Sequence, residues 1–216
     1  MKTDSQLQQA VLAELKWAPS VTAAHIGVAA HAGVITLTGH VETYPEKHAA
    51  EEAAIRVKGV KAVAEEIEVR LPFETKRSDE AIAAAAIERL SWDVSIPKDA
   101  VMVKVEKGWV TISGQVDHYY QRSAPEYDIR SLIGVMGVSN QITIKPQVDA
   151  SDISENIMHA LHRSWFFDPK TIQVNFIGGH VKLTGTATSY HDKEVAASTA
   201  WMAPGVTSVD NKIAVL

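Results

Sequence analysis

The residues with chemistry to offer recur as aromatic and basic pairs rather than as nucleophile and base sets. Trp165-Phe166-Phe167 precedes Lys170, Trp17 follows Lys16, and Trp92 lies just before Lys98. An aromatic ring beside a lysine suits the boundary between water and lipid, where the ring enters the apolar side and the ammonium stays wet. The plainer use of the same rings is to fill the core of a small domain. A second pattern is Tyr44-x-x-Lys47, repeated as Tyr119-x-x-Arg122 and Tyr190-x-x-Lys193. It falls in the first turn of a helix, where unpaired N–H groups attract anions such as a lipid phosphate. The alternative is that Glu46 and Asp192 cap those turns themselves. Trp109, with Met102 and Lys104 on one strand face, reads as a contact surface for a neighbouring unit, a second copy or a protein partner. His159-x-x-His162 is a weak chelating pair with no third ligand at the right spacing, so no metal site is expected.

Composition excludes several classes. With no cysteine, disulfides, thiolate metal sites and cysteine nucleophiles are ruled out. There is no nucleophile elbow and no phosphate-loop lysine, so no catalytic residues and no cofactor are expected. The net charge is −5, spread as −2, −1 and −2 over residues 1–72, 73–146 and 147–216. No segment carries a basic footprint for nucleic acid. Gly134-Val-Met-Gly137 matches the GxxG of an RNA-binding KH loop, but without Lys or Arg inside and with the wrong flanking elements. The opening Met-Lys-Thr-Asp-Ser-Gln lacks the apolar run of a secretory leader. No stretch reaches the ~18 apolar residues of a membrane span. The expectation is a cytoplasmic protein.

The elements that must position these residues come in three copies. Gly33-Val-Ile-Thr-Leu-Thr-Gly39 returns as Gly108-Trp-Val-Thr-Ile-Ser-Gly114 and Gly179-His-Val-Lys-Leu-Thr-Gly185, at offsets of 75 and 71 residues. A Gly-Val pair follows each time (Gly59-Val60, Gly134-Val135, Gly205-Val206), and then Ile67, Ile142 or Ile213. A repeat of this length sets the architecture before any single element does. Leu7, Val11 and Leu15 form one apolar helical stripe, as do Ile82, Ala86, Leu90 and Ile153, Ile157, Leu161. Asp4 and Asp79 stand where a cap or first-turn acid belongs. Two alternating runs around Gly33, Gly108 or Gly179 read as a hairpin with one buried face. A second, capped helix ends at the Gly-Val pair, and a last strand closes the unit. The prediction is an α+β chain of three tandem two-layer sandwiches, α-β-β-α-β, each a three-stranded mixed sheet with two helices on one face. The units are expected at 1–71, 77–146 and 149–216.

The Gly-Val-x-x-Leu-x-Gly hairpin and the later Gly-Val-x-x-Val-x-x-x-Ile resemble the BON domain, and the three in-register copies make the chain similar to a protein of three such domains. The resemblance implies a non-enzymatic module linked to osmotic and envelope stress, contacting phospholipid or membrane surfaces through several weak sites. A relative pairing one BON module with a second domain binds potassium in the cytoplasm, so a potassium ion or small ligand is the alternative partner. A protein scaffold is the third.

Overall fold

The computed structural model describes residues 3–145, 153–163 and 171–216. By compactness these form two units, one holding most of the first repeat with the third, the other holding 40–48 and 68–145. Hydrogen bonding nevertheless closes a separate three-stranded sheet in every repeat.

The first repeat runs α1 (Asp4–Trp17), β1 (Ile26–His31), β2 (Val34–Val41), α2 (Tyr44–Ile55) and β3 (Ala62–Val69). The second runs α3 (Asp79–Trp92), β4 (Val101–Glu106), β5 (Trp109–Val116), α4 (Tyr119–Arg130) and β6 (Gly137–Ile144). The third runs α5 (Ile153–Arg163), β7 (Ile172–Ile177), β8 (His180–Ala187), α6 (Tyr190–Trp201) and β9 (Ser208–Val215). The middle strand of each sheet is the second. β4 and β7 pair antiparallel with β5 and β8, while β6 and β9 run parallel to them. The predicted α+β architecture with mixed sheets is therefore the one found.

The apolar stripes bury as their spacing requires. Leu7, Val11 and Leu15 are buried, and so are their counterparts in α3 and α5. Ile35 and Leu37, Val110 and Ile112, and Val181 and Leu183 of the central strands are buried too, and in the third repeat they form one core cluster with the helix stripe. Complete removal of one such side chain from water is worth roughly 1.5–3 kcal/mol. The first strand of each sheet is less buried than its alternation suggests, since β4 is only half-buried on its inner face. An edge strand has a neighbour on one side only.

The hairpin turns place two consecutive residues at positive φ: Ala32 (50°) with Gly33 (86°), Lys107 (52°) with Gly108 (78°), and Gly178 (56°) with Gly179 (88°). That is the two-residue turn whose twist matches the flanking strands. The glycine that ends each motif answers a different demand. A Cβ on Gly39, Gly114 or Gly185 would lie 2.0, 2.0 or 1.8 Å from the carbonyl oxygen of His25, Ala100 or Thr171. These strands approach backbone to backbone, so only glycine fits.

Asp4 and Asp79 stand in the first turns of their helices, the second of the two places their sequence position allowed. Thr3 and Ser78, not Asp4 and Asp79, are the caps of α1 and α3. The Asp79 carboxylate instead accepts the backbone N–H groups of Lys107 and Gly108 at 2.8 and 2.9 Å, clamping the hairpin turn to the helix. Thr43 caps α2 through the Glu46 N–H, and Ser189 caps α6 through the Asp192 N–H.

Candidate functional site

Trp17 and Trp92 each end the first helix of their repeat. Each lies two residues beyond the last stripe residue, Leu15 or Leu90. At about 100° per residue that turns the ring far from the buried face. Trp17 is 83% exposed and Trp92 78%, so neither ring caps a core. Val94, in the turn after α3, is fully exposed as well. Asp93 holds that turn: its carboxylate accepts from the Ser95 hydroxyl at 2.6 Å and the Ser95 N–H at 2.8 Å. The Ser95 hydroxyl, followed by the Ser95 N–H, keeps the Asp93 carboxyl below its ordinary range despite some burial. Trp165, Phe166, Phe167 and Lys170 lie outside the described residues. Arg163 closes α5 and is exposed.

The Tyr-x-x-Lys/Arg pattern takes different partners in different repeats. Arg122 turns to the sheet, its Nε donating to the Ile142 carbonyl at 2.9 Å. Glu46 accepts the Glu42 N–H ahead of α2, and Gln121 accepts the N–H groups of Asp117 and His118 ahead of α4. Asp192 accepts the Thr188 hydroxyl at 2.7 Å. The acidic and amide side chains of the first turns thus reach back to donors ahead of each helix. Lys193 lies 6.0 Å over the ring of Tyr190, a tyrosine whose pKa is raised by burial and then by Glu194. Tyr44 with Lys47 and Tyr119 occupy the matching first turns of α2 and α4.

On the outer face of β4 and β5, Met102 is 68% exposed and Trp109 49%. Lys104 shares that face and pairs with Glu106 at 3.2 Å. The Trp109 indole rests over Gly137, where an added Cβ would come within 2.3 Å of the ring. Gly137 is therefore the seat of an aromatic side chain and the first residue of β6, which overturns any KH-loop reading of Gly134–Gly137. His159 faces Glu155 at 3.6 Å on α5, and the His162 side chain is outside the described set. Among the described residues no three His, Cys, Asp or Glu side chains gather as a metal site.

Several polar ties escaped the sequence reading. Asn140 of β6 donates to the carbonyl of Arg122 and accepts from the Ile142 N–H, latching strand to helix. Asn211 does the same with Lys193 and Ile213. The shared position was the only available signal. In the second repeat Arg89 of α3 reaches Asp128 of α4, Nε and Nη2 both donating to Oδ1 at 3.0 and 2.8 Å. Asp128 is buried, and among the described residues its Oδ2 has no hydrogen-bond partner. In the first repeat the tie reverses polarity, with Arg56 of α2 donating to Glu14 of α1 at 3.2 Å.

Comparison with known proteins bears on all three repeats. The family profile described as BON domain matches residues 3–70, 78–146 and 149–216. The chain is 29% identical over 146 residues to the osmotically-inducible protein Y of Escherichia coli (strain K12), covering 66% of this chain and 73% of that one. Among solved structures, CdsD, a structural protein of the type III secretion system of Chlamydia trachomatis, aligns over 96% of this chain and 91% of its own at 18% identity and a TM-score of 0.26. The C-terminal domain of CdsD aligns over 100% of both chains at 18% identity and the same TM-score of 0.26. So low a score carries no argument about arrangement. Among the described residues no helix is long and apolar enough to cross a membrane.

Proposed function

The chain belongs to the BON domain family, with three copies along nearly its whole length, and from that premise we propose a non-enzymatic, stress-related protein that associates with phospholipid surfaces through several weak contacts. The osmotic setting is carried over from the name of the Escherichia coli relative. The observation that supports the surface reading most is the equivalent exposure of Trp17 and Trp92, at 83% and 78%, with Val94 bare beside the second. Large rings left in water at the tips of helices are suited to the interface between headgroups and acyl chains. Single insertions are weak, and several on one chain act together through effective concentration. With a net charge of −5, long-range attraction to anionic lipid is not what holds the protein there. Ring insertion is, and the association is correspondingly insensitive to salt.

The test is co-sedimentation of the full chain with phosphatidylcholine and phosphatidylglycerol vesicles, alongside a Trp17→Ser/Trp92→Ser variant. Partial burial of each ring predicts about a tenfold loss of affinity per tryptophan removed. Absence of the parent chain from the vesicle pellet removes this reading, and so does a variant that pellets as well as its parent.

A further inference from the structure

The second compact unit holds a cavity of about 560 Å³ where the 71–78 connector, the start of α3 and the β4–β5 hairpin meet. Its lining inverts the charge of the chain. Lys76, Arg77 and Lys107 contribute three cations against the single acid Asp79, with Arg70 paired to Glu68 at 2.6 Å, although the whole protein is at −5. Asp79 has both carboxylate oxygens engaged by hairpin N–H groups, at 2.8 and 2.9 Å. The Arg77 guanidinium is held in place by the carbonyls of Glu74 and Lys76, each 2.8 Å from Nη1. Its charge is fixed there without a carboxylate partner in those bonds. Ser78 accepts the Ala81 N–H at 3.2 Å, which leaves its hydroxyl proton to donate. The 14-residue helix α3 begins at this wall, with the positive end of its dipole toward the cavity.

The first unit has a cavity of about 570 Å³ lined by Asp4, Gly33 and Gly59, which stand 75 residues before Asp79, Gly108 and Gly134 of the second. Its cations are Lys58 and Lys61, at the positions that hold Ile133 and Met136 in the second repeat. The shape recurs with the repeat. Its charge does not recur: two cations face Asp4 in the first, with Leu216 of the third repeat in the wall, whereas the cations of the second come from the connector and the hairpin.

We propose that the cavity at the start of α3 binds a phosphomonoester, with Lys76 and Lys107 pairing to the phosphate oxygens and Arg77 and the Ser78 hydroxyl completing the donor set. A dianion of this kind matches a site with several charge-assisted donors and space for a small organic group. The phosphate is that of a lipid headgroup such as phosphatidic acid or of a soluble ester. The site is independent of the tryptophan contacts proposed above.

The test is isothermal titration of the full chain with glycerol phosphate and with inorganic phosphate, with glycerol as the neutral control, and vesicles containing phosphatidic acid as the lipid arm. Saturable binding of the phosphates that weakens as salt is raised is expected, with none of glycerol. Lys76→Gln/Lys107→Gln weakens it by about tenfold or more, the least that the loss of one charged hydrogen bond is worth. Both lysines are exposed, and an unchanged melting curve verifies that the variant folds. If the ligand is a headgroup, the variant loses its preference for phosphatidic acid over phosphatidylcholine vesicles. If it is a soluble ester, titration changes and vesicle binding does not. Trp17→Ser/Trp92→Ser leaves phosphate binding intact, so this proposal and the surface reading fail separately. A parent chain that binds neither phosphate nor phosphatidic acid above the controls overturns it, as does a double lysine variant that binds like the parent.

Discussion

Replacing Arg89 by methionine removes the cation that donates to Asp128 across α3 and α4. Asp128 is 6% exposed and receives both guanidinium bonds, 3.0 and 2.8 Å long, on a single oxygen. The arginine side chain is 52% exposed, so water replaces part of what the substitution removes. Breaking a fully buried pair leaves an uncompensated charge at a cost of about 3–5 kcal/mol. Solvent on the arginine side lowers that to about 2–3 kcal/mol. Asp93 lies close enough to feel both Arg89 and Asp128. In the variant two carboxylates therefore face each other without the cation between them. Hydrogen exchange followed by mass spectrometry reads the effect locally, which suits a chain of several modules. Amides of α3 and α4 should exchange roughly 30- to 150-fold faster, while those of α1 and α5 do not change. The double variant Arg89→Met/Asp128→Leu should recover much of the protection, because an apolar pair of similar volume needs no compensation. Protection in α3 and α4 within threefold of the parent for the single variant (about 0.7 kcal/mol) would refute the reasoning.

Two further outcomes follow from the geometry. Gly114→Ala puts a Cβ 2.0 Å from the Ala100 carbonyl at a φ of 149°, and should destabilise the second repeat by about 3 kcal/mol or more, read as early loss of protection in β4 and β5. Ser95→Ala removes the largest influence holding the Asp93 carboxyl below its ordinary 3.8, so its titration, followed by carboxyl carbon NMR, should move upward. Because the folded-state value is depressed, the stabilisation is present above pH 3.8 and is lost as pH falls through the lower folded value; the variant should lose less on acidification.

The fold was legible because its determinants are periodic. Leu7, Val11 and Leu15 announce a helix face by spacing alone, and the paired glycines announce a turn and a close approach. The exposure of Trp17 and Trp92 was also within reach, since a residue two beyond the stripe must face away from it. What escaped was pairing between elements. Arg89 and Asp128 are 39 residues apart, and nothing in either helix alone marks the other as partner. The same tie exists in the first repeat with acid and base exchanged, so aligning the copies hides it rather than revealing it. The sheet contact of Arg122 escaped for a related reason. A cation in the first turn of a helix looks like an anion ligand until the packing shows the Ile142 carbonyl within its reach.

Counting charge along the chain hid the cavity in the same way. Residues 73–146 sum to −1, which argues against an anion site if charge is averaged over the segment. Electrostatic attraction at a cavity depends on what lines it, because solvent screens charges beyond about 8–10 Å at physiological salt. Glu80 and Glu88 spend their charge along α3, and Asp117 pairs with Lys145 at 3.2 Å at the far end of β6. Lys76, Arg77 and Lys107 come together only because Asp79 draws the hairpin turn onto the start of α3. The same carboxylate that fixes the turn therefore fixes the spacing of the cations around it. Structure and recognition are coupled at one residue, and a segment can be acidic on average while presenting a positive pocket.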